Sequence, residues 1–237
     1  MLTNRERDEH IEEGIASIKK YVIIHSGVPL DRLMNMDVDV ETEKKKLGIP
    51  LNSNVIGVVG RLVPIKGHEY LVAAAKGIIK EFDNTVFVFV GDGNLESRLE
   101  RQAESIGVRD NIIFTGWRKD AVEIIALFDM LAAPSLNEGM GKVLVEGMAF
   151  GKPIVASNIG GIIDLVQDGE NGILVPPKDS GALEDAILKL IRNKNLAQEL
   201  GKNGKAKVYP EYDIFTMVGQ IEDLYESLLS KLASSGR

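Results

Sequence analysis

The chain alternates short runs of apolar residues with segments of helical periodicity, and this alternation restricts its fold more than any other feature. Seven runs are typical of strands: Tyr21–Ile24, Val55–Val59, Val86–Val90, Ile112–Phe114, Met130–Ala133, Ile154–Ala156 and Ile173–Val175. The segments between them predict helices: Gly67–Phe82, Leu95–Ile106, Asp120–Phe128, Lys142–Phe150 and Leu183–Arg192. The run VFVFV is apolar on both faces, as in a strand with helices on both sides. The alternation predicts βαβ units and therefore an α/β fold, a doubly wound parallel sheet.

The two ends of the chain do not follow this alternation. Leu2–Lys19 is predicted to be a helix, and the polar segment Pro29–Lys46 is predicted to be a loop. Over residues 214–232, apolar residues recur at steps of three and four, which predicts a long terminal helix with one apolar stripe. We expect the stripe to dock onto its own domain, with docking onto a partner outside this chain as the alternative, and Ser234–Arg237 to form a frayed tail.

Composition narrows the chemistry that this fold can carry. The 237 residues include no cysteine, which excludes thiolate metal sites, disulfides and thiol catalysis. The histidines His10, His25 and His68 lack the spacing of a zinc site. With 28 Lys and Arg against 35 Asp and Glu, the net charge of −7 argues against nucleic-acid binding. No stretch approaches the roughly 20 apolar residues of a membrane span, and the charged N-terminus does not resemble a signal peptide.

In doubly wound sheets, ligands bind beyond the carboxyl ends of the strands, so the turns that follow strands are the first places to search. The segment GRLVPIKG, residues 60–67, follows a strand and places Arg61 and Lys66 beside a helix N-terminus. That grouping suits an anion such as a diphosphate, and a surface loop with two ordinary cations is the alternative. The segment GDG, residues 91–93, lacks the third glycine of a dinucleotide-binding fingerprint, so a tight turn is the better interpretation.

The segment NEGMGKVLVEGMA, residues 137–149, is the most informative of these turns. Gly139 and Gly141 allow close backbone approach to a ligand, and a helix with free amides begins at the second glycine or just after it. Glu138 and Glu146 offer carboxylates, which accept hydrogen bonds from vicinal hydroxyls. The resulting array of acceptor, donors and acceptor matches a sugar, a phosphate and a ribose. The alternative is stabilisation of the helix dipole by Glu138 and a solvated Glu146.

The order of these motifs resembles the C-terminal half of a family-4 retaining glycosyltransferase of the GT-B fold (glycosyl transferases group 1). The resemblance extends from about Tyr21 to Val208 and rests on six segments: VIIHSGVP, GRLVPIKGHEYLVAA, VGDGNLESRLE, IIFTGW, APSLNEGMGKVLVEGMAFGKPIVAS and GGIIDLVQDGENGILVPP. The spacing from Glu138 to Glu146 matches the E-x7-E signature of that family. The resemblance implies a Rossmann-like single domain that binds a nucleotide-diphosphate sugar.

The resemblance also implies a role for each matching residue. Arg61 and Lys66 would bind the diphosphate and stabilise the charge that develops on it as it leaves. Glu138 would hold hydroxyls of the transferred sugar, and Glu146 would clamp the ribose. Backbone amides at Gly139, Met140 and Gly141 would contact the transferred sugar, and the amides of Lys142, Val143 and Leu144 would contact the phosphates. The turn at Gly116 and Trp117 would lie near the base, and Gly60 would allow close approach to the ligand.

No metal is implied, because cations and helix amides already stabilise charge where it develops. Asp37 and Asp39 form a D-x-D sequence, but they lie in a polar segment without the rigid support that metal ligands need. We expect an N-terminal helix and interdomain segment over 1–20, a donor-binding domain over 21–208, and a C-terminal helix with a tail over 209–237.

A GT-B enzyme has two Rossmann-like domains, and this sequence resembles only the second. We therefore expect a chain that binds a nucleotide sugar, lacks the N-terminal acceptor domain and transfers sugar poorly or not at all by itself. Its other expected partner is a glycan or lipid acceptor. We expect a cytoplasmic location, with a peripheral position at the inner face of the membrane as an alternative that would depend on the full-length enzyme. Two alternatives stay open: a non-catalytic nucleotide-sugar-binding module and a GT-B-fold sugar-nucleotide epimerase. A dinucleotide oxidoreductase is disfavoured because its glycine fingerprint is incomplete.

Overall fold

A computed structural model describes residue 1 and residues 3–235, and six strands in these residues form one all-parallel sheet. The strands are β1 Asn54–Val59, β2 Thr85–Val90, β3 Ile112–Phe114, β4 Met130–Ala133, β5 Ile154–Ser157 and β6 Ile173–Val175. Their order across the sheet is β3-β2-β1-β4-β5-β6. The doubly wound α/β sheet predicted from the alternation is confirmed, and the strand order reverses between β1 and β4.

Eleven helices in the described part of the chain flank the sheet or extend from it. They are α1 Asn4–Glu12, α2 Leu30–Met34, α3 Val40–Lys46, α4 His68–Glu81, α5 Glu96–Ile106, α6 Ala121–Ile125, α7 Lys142–Ala149, α8 Ile162–Leu165, α9 Ser180–Arg192, α10 Lys194–Val208 and α11 Ile214–Ser235. Short 3-10 helices occupy Ile18–Lys20, Pro64–Lys66 and Arg109–Asn111. None of the helices described here is long and apolar enough to cross a membrane.

Strand β2 shows why the sheet is covered on both faces. Side chains alternate across a strand, so Phe87 and Phe89 enter one hydrophobic core while Val86, Val88 and Val90 enter the other. All five side chains are buried. Burial of each phenylalanine contributes about 1.5–3 kcal/mol, so this strand helps to hold helices against both faces of the sheet.

The prediction of a strand over Tyr21–Ile24 is wrong, because this segment is extended but lies outside the sheet. The helix predicted over Leu2–Lys19 is shorter than expected: α1 ends at Glu12, and the chain then turns at Gly14. Leu2 lies outside the described residues. The expected N-terminal helix is therefore present, but it covers only part of the predicted segment.

The prediction of a loop over Pro29–Lys46 is also wrong, because α2 and α3 occupy most of it. Asp39 caps α3, since its Oδ1 accepts a hydrogen bond from the Thr42 amide at 3.1 Å. Acidic residues in the first turn of α3 and lysines in its last turn suit the helix dipole. A polar segment can thus be helical without contributing a large apolar face.

The apolar stripe of α11 docks only near its start. The amide of Ile214 donates to the Val28 carbonyl at 3.0 Å, and the Gly27 amide approaches the Met217 sulfur at 3.1 Å. Farther along, Tyr225 and Leu232 are 64% and 70% exposed. The expectation that the whole stripe docks onto its own domain is therefore wrong for its second half. The helix continues to Ser235, and residues 236–237 of the predicted tail lie outside the described residues.

Candidate functional site

The turn after β1 carries both predicted cations. Gly60 follows the strand, and the exposed side chain of Arg61 forms no ion pair with any residue in the described ranges. Lys66 ends a 3-10 helix, and Gly67 then adopts the left-handed conformation with φ of 63° as the N-cap of α4. A Cβ at Gly67 would collide with the carbonyl oxygen of Pro134. Glycine is required there because this turn lies directly against the turn after β4.

The turn after β4 leads into α7, which begins at Lys142 as predicted. The amide of Leu136 donates to the Ile65 carbonyl at 2.7 Å and joins this turn to the one after β1. The side chain of Met140 is buried, which anchors the turn, whereas Gly139 is open to space. A rigid turn of this kind can hold a ligand at the N-terminus of α7.

The amides at the start of α7 are not all available to a ligand. The Leu144 amide donates to the Gly141 carbonyl at 2.8 Å, so it is already satisfied. Lys142 and Val143 have no such backbone partner in the described part of the chain. Of the three amides that the resemblance implies at the phosphates, those of Lys142 and Val143 are therefore free and that of Leu144 is not. The two free amides coincide with the positive end of the helix dipole.

An ion pair joins the two turns across the site. The Lys66 ammonium contacts the Glu138 carboxylate, and the two side chains are 27% and 22% exposed. The sequence suggested separate roles for these residues, one at the phosphates and one at the sugar. The structure instead places opposite charges in direct contact, so each neutralises the other.

A cavity of about 230 Å³ lies at this point of the sheet. Its lining includes Lys66, Glu138, Gly141, Lys142, Val143 and Leu144. These residues come from the turns after β1 and β4, where the strand order reverses, which is the position at which doubly wound sheets bind ligands. The cavity therefore unites six of the predicted site residues.

The remaining predicted site residues lie outside the lining of this cavity: Gly60, Arg61, Gly116, Trp117, Gly139, Met140 and Glu146. The first four belong to the same edge of the sheet. The Gly91 amide donates to the Gly116 carbonyl at 3.0 Å, and a Cβ on Gly91 would collide with the carbonyl oxygen of Gly60. The turns after β1, β2 and β3 are thus packed side by side, and Trp117 is 70% exposed at the end of this row.

Glu146 lies one turn into α7 and is half-buried. Burial raises the pKa of this carboxyl group, and the neighbouring Lys142 cation opposes that shift. The carboxylate has no hydrogen-bond donor among the residues that the structure describes. A half-buried acceptor without a donor gains stability when a ligand hydroxyl donates to it.

Two elements of the site were not predicted from the sequence. His68 is 1% exposed, and its Nε2 lies 3.0 Å from the Arg61 carbonyl oxygen. Gly161 donates its amide to the Glu138 carbonyl at 3.1 Å, and a Cβ at Gly161 would collide with the Gly139 carbonyl oxygen. The Gly-Gly pair after β5 was the signal for a close backbone approach, whereas nothing in the sequence distinguished His68 from a core residue.

In residue 1 and residues 3–235, no group of three or more His, Asp or Glu side chains is arranged to hold a metal ion. Asp39, one of the two aspartates of the D-x-D sequence, is used as the cap of α3.

Residues 39–207 match a family model described as glycosyl transferases group 1. The chain is 32% identical to UDP-Gal:alpha-D-GlcNAc-diphosphoundecaprenol alpha-1,3-galactosyltransferase of Escherichia coli, over 94% of this chain and 58% of that protein. It is 31% identical to D-inositol 3-phosphate glycosyltransferase of Corynebacterium urealyticum, over 92% of this chain and 54% of that protein. The chain thus spans little more than half the length of these curated relatives.

The chain is also similar in fold to solved protein structures. HepE of Anabaena in complex with UDP matches with a TM-score of 0.88 at 27% identity, over 95% of this chain and 62% of that one. The C-terminal domain of a glycosyl transferase group 1 family protein (LpcC) from Francisella tularensis matches with a TM-score of 0.71 at 26% identity. That match covers 79% of this chain and all of the domain. The fold is that of one domain of these proteins.

Proposed function

Because this chain belongs to the glycosyl transferases group 1 family, we propose that it forms the donor-binding domain of a retaining glycosyltransferase. Such an enzyme moves a sugar from a nucleoside diphosphate to an acceptor hydroxyl. The observation that carries the proposal is the ion pair of Lys66 with Glu138, in a cavity at the reversal point of the sheet. The HepE complexes with UDP and UDP-glucose support a uridine nucleotide as the donor.

In this proposal, the diphosphate binds between Lys66 and the free amides of Lys142 and Val143. Positive charge and helix-end amides both favour a dianion at this place. The exposed Arg61 adds a second cation without first having to break an ion pair. The net charge of −7 does not oppose binding, because these groups act over a few ångströms and the distant surface charge is screened.

Donor binding exchanges the partners of the ion pair. The Lys66 ammonium passes from the Glu138 carboxylate to phosphate oxygens, and Glu138 is then free to accept hydrogen bonds from sugar hydroxyls. As the bond between sugar and diphosphate breaks, negative charge grows on the phosphate oxygens. Lys66 and Arg61 are already in place to stabilise that charge, which lowers the barrier to transfer without a metal.

The nucleoside extends away from the cavity along the edge of the sheet. Neighbouring strands are about 4.8 Å apart, so the turn after β3 lies about 10 Å from the turn after β1. That turn carries Gly116 and the exposed Trp117, which we assign to the base. Glu146 offers its half-buried carboxylate to the ribose hydroxyls.

We further propose that the acceptor, a glycan or a lipid, is held by a second Rossmann-like domain. The relatives are longer than this chain, which supports the proposal. Transfer needs both domains, so the chain by itself binds donor but transfers slowly. Robust transfer to an acceptor by this chain would contradict that part of the proposal while leaving donor binding intact.

Isothermal titration with UDP and UDP-glucose tests donor binding. We expect binding that Lys66→Ala and Glu146→Gln weaken strongly, because the first removes a cation at the phosphates and the second removes the charge of the carboxylate that accepts from the ribose. The matched control is Lys80→Ala, which removes an exposed lysine at the far end of α4, about 20 Å from its N-terminus. No heat at millimolar UDP, or undiminished binding in both site variants, would contradict the proposal.

A further inference from the structure

We propose that His68 is a positioning residue of the donor site: its imidazole holds the turn that carries Arg61 in the conformation that binds the diphosphate. The inference rests on the proposed function, because its consequence is nucleotide affinity. His68 is the first residue of α4, directly after Gly67, and it lines the same cavity as Lys66 and Glu138.

The geometry shows which ring nitrogen of His68 carries the hydrogen and how the ring is oriented. His68 Nε2 lies 3.0 Å from the Arg61 carbonyl oxygen, and a carbonyl oxygen only accepts, so Nε2 carries the hydrogen. The ring packs edge-on against Phe89 of β2, with 5.7 Å between the centroids. With 1% of the residue exposed, the imidazole has little freedom to turn away.

Arg61 depends on its backbone for placement, because its guanidinium is exposed and has no ion-pair partner within the described ranges. Two contacts hold its carbonyl oxygen: the Val63 amide at 2.9 Å and the His68 imidazole at 3.0 Å. The first lies within the turn itself. The second is the one side-chain hydrogen bond, among the residues described, that ties residues 60–63 to the helix and the sheet.

The neutral imidazole of His68 donates a hydrogen bond and does not act as an acid or base. Burial and the nearby Lys66 cation lower its pKa to about 4, although the bond to the Arg61 carbonyl opposes this shift. Protonation would add a hydrogen at Nδ1, which is buried and has no acceptor among the described residues. The ring therefore keeps one tautomer over the ordinary pH range.

The test compares two variants of similar size. His68→Gln keeps an N–H donor near the position of Nε2, whereas His68→Leu removes the donor and keeps an apolar body. For one lost hydrogen bond at this turn, we expect His68→Leu to weaken UDP binding about 5–10-fold and His68→Gln to stay within about 3-fold of wild type. Coupled residues have non-additive effects. In an Arg61→Ala background, His68→Leu should therefore change UDP affinity less than about 2-fold, because the side chain that His68 positions is gone.

A second measurement needs no nucleotide. Trypsin cleaves after arginine, so local opening of the turn exposes the bond between Arg61 and Leu62. We expect His68→Leu to raise the cleavage rate at Arg61 several-fold and to leave cleavage after Lys119, on another exposed turn, unchanged. His68→Gln should resemble wild type at both positions.

Three results would overturn the inference. One is an equal loss of UDP affinity from His68→Leu with and without Arg61; another is failure of His68→Gln to restore affinity although its melting temperature matches wild type. The third is unchanged trypsin cleavage at Arg61 in His68→Leu. If wild-type protein binds no UDP, the proposed function fails, while the cleavage experiment still decides whether His68 holds the turn.

Discussion

The Glu138 carboxylate forms an ion pair with the Lys66 ammonium, the group that the proposal assigns to the diphosphate. Every nucleotide that binds there must first break this ion pair. The substitution Glu138→Gln keeps the size of the side chain and removes its charge. We therefore expect Glu138→Gln to bind UDP more tightly than the wild type, although it alters a residue of the donor site.

The size of the gain follows from the burial of the pair. Fully exposed ion pairs contribute about 0.2–1 kcal/mol. Two unit charges 4 Å apart interact by about 4 kcal/mol at the effective dielectric constant of a protein surface. With side-chain exposures of 27% and 22%, this pair lies between these limits. We assign the pair about 1–2 kcal/mol, so Glu138→Gln should bind UDP about 5–30-fold more tightly than the wild type.

The sugar should reverse the effect. Glu138 accepts hydrogen bonds from sugar hydroxyls in the proposed complex, and bonds to a charged acceptor contribute about 1.5–3 kcal/mol. In the wild type, UDP-glucose gains affinity over UDP from the bonds to Glu138. In Glu138→Gln, UDP-glucose should lose most or all of that gain. The affinities of both ligands are measured by isothermal titration for wild type and variant under one buffer.

The control is Glu100→Gln, which breaks the ion pair of Glu100 with Arg109, 2.9 Å apart and outside the site. It should leave both affinities unchanged. Binding of UDP by Glu138→Gln that is as weak as in the wild type, or weaker, at a melting temperature close to that of the wild type would contradict an inhibitory ion pair.

Three further predictions concern stability and pH. Gly67→Ala should destabilise the fold by about 2–4 kcal/mol in denaturant unfolding, since it adds strain and a collision with Pro134, whereas Gly107→Ala, also left-handed but in open space, should lose only about 1 kcal/mol. Burial lowers the pKa of Lys152 to about 8 from 10.5, so the native state releases its proton first and stability should rise between these pH values. Relative to Lys152→Met, the free energy of unfolding of the wild type should rise by about 2 kcal/mol from pH 7.5 to 9.5 in denaturant unfolding. A difference between the two proteins that does not change with pH would contradict the lowered pKa of Lys152. Because burial raises the pKa of Glu146, acidification protonates this acceptor early; UDP affinity should fall from pH 7 towards 5 more steeply in wild type than in Glu146→Gln.

The sheet could be predicted because its signal is local in the sequence. In β2, the alternation of phenylalanine and valine already states that both faces are buried. The apolar run Tyr21–Ile24 carries a similar local signal, yet Val22 is 48% exposed and no ladder forms. Strand formation depends on a neighbouring strand, which residues 21–24 do not specify.

The missed helix α3 is a different case, because its signals were present. Asp39 at the cap, Glu41 and Glu43 in the first turn, and Lys45 and Lys46 in the last turn are the charges that helix ends favour. The prediction relied on apolar periodicity, which this short polar helix lacks. Capping and charge order were the better guide here.

The sequence predicts where the candidate residues lie better than it predicts what they contact. The turns after β1 and β4 were expected at one edge of the sheet, and the cavity lies there. The ion pair of Lys66 with Glu138 joins residues 72 positions apart, and the His68 bond depends on the path of one turn. The use of the Leu144 amide by Gly141 likewise depends on local backbone geometry. Sequence spacing carries none of these details.

The turn after β3 gives the protein an optical signal of its own. Trp117 is the one tryptophan of the sequence, and its side chain is 70% exposed at the end of the row of turns that the proposal assigns to the nucleotide. Intrinsic indole fluorescence therefore originates from a single position beside the assigned base. Bases stack readily on aromatic rings, so a nucleotide that reaches this turn should change the emission. Because none of the variants above alters Trp117, unlabelled protein can report the occupancy of its own site in each of them.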